Sequence, residues 1–89
     1  MAQDKDKNHD NDVTVTVHTA TVTTAKTFTW PKQKRVGEAA LEAAAAFGVD
    51  AASPTFMKGK DVLDRNKPLV AAGVRDGDDL ELVGAGGGV

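Results

Sequence analysis

Only one stretch of this chain has the makings of a long helix, and the residues ahead of it alternate. Arg35 to Phe47 is rich in alanine and glutamate, both strong helix formers. Before it, Val13-Thr14-Val15-Thr16-Val17-His18-Thr19 sets a β-branched apolar residue against a polar one at each step, the period-2 signature of a half-buried strand. With 89 residues there is room for a single core, so the helix must pack on those strands. Val13, Val15 and Val17 are expected to face inward, and His18 to face solvent with the threonines. A second run, Lys26-Thr27-Phe28-Thr29-Trp30, places Phe28 and Trp30 on one face, and Ala20 to Thr24 is the expected turn of a β-hairpin. That turn lacks the Asn-Gly or Asp-Gly pair that would fix its register. Pro31 ends the second strand.

Within the helix, Val36, Ala40, Ala43 and Phe47 fall in one stripe at 100° per residue, with Glu38 and Glu42 on the opposite side. Gly48 stands where a left-handed C-cap is expected, and Val49 where the apolar contact of such a cap belongs. Alanine carries little bulk, so Phe28, Trp30, Phe47 and the valines are expected to supply most of the core. After Ser53-Pro54, Thr55-Phe56-Met57 predicts a short strand, Lys58-Gly59-Lys60-Asp61 a turn, and Val62-Leu63 an extended fragment. Residues 69 to 74 suit a single helical turn, and Arg75-Asp76-Gly77-Asp78 a tight turn. Asp79-Leu80-Glu81-Leu82-Val83 then resumes alternation as the last strand, with Leu80 and Leu82 inward. The order is ββαββ, which predicts an α+β domain: a mixed sheet with one helix packed on one face.

Composition narrows the function. Residues 1 to 12 hold no large apolar side chain after Met1, so they are expected to form a disordered tail before a domain spanning 13 to 83, with a flexible glycine-rich tail at 84 to 89. Setting aside Lys5, Lys7, Asp4, Asp6, Asp10 and Asp12 leaves equal numbers of basic and acidic residues from the totals of 11 and 13. A balanced domain argues against nucleic acid as the partner, since phosphate binding needs a basic excess on one face. The absence of cysteine removes disulfides and thiol chemistry. No apolar run is long enough to span a membrane or to form a signal peptide core, so a cytoplasmic protein is expected. His9 and His18 have no further ligands at metal-binding spacing, and neither Asp4-x-Asp6 nor the Asp76 to Asp79 cluster has a calcium loop's spacing. Without paired carboxylates, a nucleophile with its base, or a phosphate-binding loop, the residues point to no enzyme and no cofactor.

The second half resembles a known family. Phe56-Met57-Lys58-Gly59-Lys60-Asp61-Val62-Leu63 is similar to the strand, glycine turn and leucine of ubiquitin-like β-grasp domains. Leu69, then Gly73-Val74-Arg75-Asp76-Gly77-Asp78-Asp79-Leu80-Glu81-Leu82-Val83, resembles the family's closing stretch, and the likeness runs from Val13 to the C-terminus. In modifier and carrier members the last strand projects a tail ending in two glycines, whose terminal carboxylate is adenylated by an activating enzyme and then passed to a thiol. Here the tail is Gly84-Ala85-Gly86-Gly87-Gly88-Val89, so the resemblance implies that a peptidase removes Val89 and exposes Gly87-Gly88. Gly84-Ala85-Gly86 replaces the arginine-containing stretch that precedes the diglycine of eukaryotic ubiquitin. The chain looks more like the bacterial ubiquitin-like proteins encoded beside activating and conjugating enzymes and a JAB-type peptidase.

That likeness implies a protein modifier attached through Gly88 to target proteins by an isopeptide bond. Two alternatives share the fold: a sulfur carrier whose carboxylate becomes a thiocarboxylate, and a β-grasp interaction domain with an inert tail. Thr55, Val83 and Ala20 match parts of ubiquitin's apolar recognition patch but are too small or polar to rebuild it, so ordinary exposed sheet surface is expected there. Lysines 26, 32, 34, 58, 60 and 67 are ordinary surface residues, and none is assigned as an acceptor.

Overall fold

The computed structural model describes residues 11–20, 22–50 and 52–84. Of the tail expected at residues 1 to 12, residues 1 to 10 lie outside the described residues, as does the chain beyond Gly84, whereas Asp12 already belongs to the first strand, opposite Pro31. Among the described residues the elements follow in the order β1 (Asp12–His18), β2 (Lys26–Pro31), α1 (Val36–Phe47), β3 (Thr55–Lys58), β4 (Asp61–Val62) and β5 (Asp79–Val83). The strands form one mixed sheet in the order β2-β1-β5-β3-β4. β1 pairs antiparallel with β2, while β5 enters beside β1 in parallel and pairs antiparallel with β3 on its other side. The last strand in sequence therefore occupies the middle of the sheet.

Both ends of α1 are closed by backbone. Arg35 at the N-cap makes no side-chain capping bond. Instead the Val36 N–H donates to the Lys67 carbonyl at 2.9 Å and the Gly37 N–H to the Arg65 carbonyl at 3.0 Å, satisfying donors that a helix start leaves unpaired. Leu69 N–H donates to the Lys34 carbonyl at 2.8 Å, so the segment after β4 is tied along the entry to the helix. At the other end Gly48 adopts φ 70°, with its N–H turned back to Ala45, and Val49 N–H reaches Ala44 at 3.0 Å. This is the left-handed closure expected at that glycine.

The core differs from the expected one in its bulk. Phe56, Leu69 and Leu80 are completely buried together with Val17, Val36 and the helix alanines 39, 40 and 43. Phe28 and Phe47 are only partly buried and pack on the core's rim. The reason is where the helix lies: α1 packs chiefly on β3 and β5, and edge strand β2 meets it through the Phe28–Phe47 ring contact and the Trp30–Glu42 hydrogen bond. The alanines bring the helix close to the central strands, and Phe56, Leu69, Leu80 and Leu82 fill the space beneath. Trp30 is buried as expected, its ring centroid 5.7 Å from that of Phe56. Leu80→Ala should cost about 2–5 kcal/mol by transfer and cavity terms, read as a lowered urea midpoint. An unchanged midpoint would refute the register of β5.

Candidate functional site: the exit of the closing strand

Everything about β5 depends on the turn that introduces it. Gly77 adopts φ 89°, a conformation that L side chains resist, and its N–H donates to the Thr14 carbonyl at 2.7 Å. In return Thr14 N–H donates to Asp76 Oδ1 at 2.7 Å, and Thr16 N–H to the Asp78 carbonyl at 3.0 Å. This ladder sets Thr16 opposite Asp79, Val17 opposite Leu80 and His18 opposite Glu81. A one-residue slip would turn Leu80 and Leu82 out of the core. Gly77→Ala is therefore expected to cost about 1–2 kcal/mol, as an L residue forced to positive φ. Thermal unfolding of the variant checks this.

Asp78 fastens the same turn from below. Its Oδ2 accepts the Arg75 N–H at 2.8 Å and lies 2.9 Å from Lys58 Nζ, which also donates to the Gly73 carbonyl at 2.7 Å. Burial pushes the Asp78 carboxyl up, but the bonds from Lys58 and the Arg75 backbone, with both positive charges, outweigh it and hold the group below its ordinary value. With the folded value depressed, the unfolded chain binds more protons in acid. The stabilisation is then complete above the unfolded aspartate value of about 3.9 and is lost as pH falls through the lower folded value. Asp78→Asn should flatten that acid limb in stability measured between about pH 5 and pH 2. An unchanged limb would mean that the Lys58 and Arg75 contacts do not persist in solution.

At its far end β5 outruns β1. Glu81 sits beside His18, the last residue of β1, whereas Leu82 and Val83 continue against β3 alone, with Val83 opposite Thr55. The chain thus leaves the sheet at half-buried Gly84, next to the start of β3. Here the structure corrects an expectation: Thr55 and Val83 are buried, not exposed sheet surface. The chain after β4 folds back along the start of β3, where the Thr55 hydroxyl donates to the Leu63 carbonyl at 2.8 Å and Arg65 Nε to the Pro54 carbonyl at 2.7 Å. Thr55 lies on the face of β3 opposite to Phe56, but a strand pattern carries no information about a loop lying over it. Ala20 is exposed as expected.

Gly84 is the tail residue whose position is described; Gly86, Gly87, Gly88 and Val89 lie outside the described residues. The outer face over the first half of β5 has a depression of about 250 Å³ lined by His18, Met57, Gly59, Asp79 and Glu81. Among the described residues, no group of three or more His, Cys, Asp or Glu side chains is placed to hold a metal ion. No helix among them is long and apolar enough to cross a membrane.

No protein-family model and no curated protein matches the chain. Solved structures do. The ubiquitin of Caldiarchaeum subterraneum superposes with a TM-score of 0.69 at 16% identity, covering 82% of this chain and 92% of that one. The fold is the ubiquitin-like β-grasp. A structure from work on molecular mimicry of SUMO in DNA repair matches with a TM-score of 0.73 at 12% identity, over 82% of this chain and 91% of the other. The ubiquitin-like domain of the Mycobacterium tuberculosis type VII secretion protein EccD1 matches at 0.59 and 19% identity, over 81% and 97%. The ubiquitin-like match spans nearly the whole of these chains, and the likeness lies in architecture.

Proposed function

We propose that this ubiquitin-like protein is a protein modifier whose reactive group is the carboxylate of Gly88. A peptidase, JAB-type or other, first hydrolyses the Gly88-Val89 bond. A partner activating enzyme then joins that carboxylate to the α-phosphate of ATP, releasing pyrophosphate, because a free carboxylate has no adequate leaving group. An enzyme thiol displaces AMP to give a thioester. A conjugating enzyme passes the acyl group to an amine of a target protein, which releases the thiol. The chain's own part is that of acyl donor rather than catalyst, acting in the cytoplasm where ATP is available.

The observation that supports this reading is the placement of β5. Being held by β1 on one side and β3 on the other, it anchors the chain up to Gly84, and the residues that follow in sequence are Ala85, Gly86, Gly87, Gly88 and Val89. Backbone without Cβ fits channels that exclude other residues, as an adenylation site or a peptidase cleft requires. Incubating the epitope-tagged full chain with host extract tests the reading. Larger covalent adducts that form with ATP and fail to form after ATP depletion are expected; only free chain under both conditions would overturn it.

A further inference from the structure

We propose a modification site in the turn that introduces β5: Asp76-Gly77 closes to a cyclic imide and reopens as an isoaspartyl link, and pairing with β1 holds the reaction off in the folded domain. This is the chain's single Asp-Gly step, and there is no Asn-Gly step. Both residues are exposed, so water and a modifying enzyme can reach them. The fold also requires both. Gly77 adopts φ 89°, and Asp76 Oδ1 accepts the Thr14 N–H at 2.7 Å. A turn that needs a carboxylate at one position and bare backbone at the next thus builds the dipeptide in which no Cβ shields the amide nitrogen from the neighbouring carboxyl carbon.

In the reaction the Gly77 nitrogen attacks Asp76 Cγ. A carbon-nitrogen bond forms, the hydroxyl of the protonated carboxyl leaves as water with the amide proton, and a five-membered imide results. Water then opens the ring at either carbonyl. Cleavage at Cγ restores aspartate. Cleavage between the Asp76 α-carbonyl carbon and the Gly77 nitrogen leaves the chain running through Cγ, with the α-carboxylate free.

Thr14 restrains both reacting groups. Its carbonyl holds the Gly77 N–H at 2.7 Å, so the proton that must leave is already bonded, and its own N–H holds the Asp76 carboxylate toward β1. The Thr16 N–H continues the same ladder to the Asp78 carbonyl at 3.0 Å. Bringing Cγ onto the Gly77 nitrogen turns the carboxylate away from Thr14, so only molecules whose turn has come off β1 react.

The product undoes the anchor of β5. One extra carbon enters the main chain ahead of the strand, and the Thr14 N–H loses its acceptor. The pairing of Val17 with Leu80 then has nothing to fix it. The free α-carboxylate is in turn a substrate for methyl transfer: its oxygen takes the methyl group of S-adenosylmethionine, and S-adenosylhomocysteine leaves.

The test keeps the full chain at neutral pH, folded in buffer and unfolded in urea. Isoaspartate is counted by carboxyl methylation with labelled S-adenosylmethionine and placed by mass-spectrometric peptide mapping. Label at residue 76 is expected in urea, and at least about tenfold slower in buffer, where the open turn is rare. Asp76→Glu, whose longer side chain does not form the five-membered ring, should abolish that label. Equal rates in buffer and urea, label placed chiefly at other aspartates, or no label in the unfolded chain would each overturn the proposal.

Discussion

Phe56→Ala is expected to lower the unfolding free energy by about 3–5 kcal/mol. Phe56 is the largest of the completely buried side chains and sits opposite Leu82, with its ring against that of Trp30. Removing it takes away the transfer free energy of the ring and opens a cavity between the sheet and a helix whose buried face is mostly alanine. Alanines have no length with which to collapse into the space. For a domain whose total stability is of order 5–15 kcal/mol, such a loss leaves a substantial unfolded population at moderate denaturant. Urea titration followed by Trp30 fluorescence measures it directly. A loss below about 1 kcal/mol would place the centre of the core elsewhere.

Gly88→Ala should do the reverse, leaving the fold intact and removing the function. Stability should stay within about 0.5 kcal/mol of the parent chain, since Gly88 follows the last strand of the sheet in sequence and the expected core ends with that strand. Adduct formation should fall by about 100-fold, the cost of displacing a reacting group by roughly an ångström. The added methyl sits on the residue whose carbonyl carbon is attacked, so it acts at the peptidase cleft and again at adenylation. Gly87→Ala, one residue further from the reacting carbon, tests the same channel. Variants that form adducts at the parental rate would show that the tail enters no narrow site.

Much of the architecture was legible because its periods are clean. The alternation of β1 and β5, the helix from residue 36, and the left-handed glycines at 48 and 77 all follow from local chemistry. What was not legible depends on the third dimension. Phe28 and Phe47 look like core residues by pattern, but one lies on an edge strand and the other on a helix turned toward β3 and β5. Glu42 faces solvent as its pattern implies, but its bonds to the Trp30 indole N–H and to Lys34 do not follow from the pattern, and these bonds, Lys34 first, hold its carboxyl below the ordinary value. A tryptophan facing the core needs an acceptor for its N–H, and that need was the available signal. The burial of Thr55 by the returning chain had no local signature. The candidate site divides in the same way, since the strand that aims the tail is a matter of fold and the tail's chemistry is a matter of sequence.

The most direct measurement is the mass of the protein recovered from the organism that encodes it, both free and in adducts. The account predicts a free chain shortened by the mass of one valine residue, and adducts in which the Gly88 carbonyl carbon is bonded to an amine of a target protein. Free chain ending in Val89 with no adducts would contradict it and leave an interaction domain with an inert tail. A terminal oxygen replaced by sulfur would contradict it in favour of a sulfur carrier.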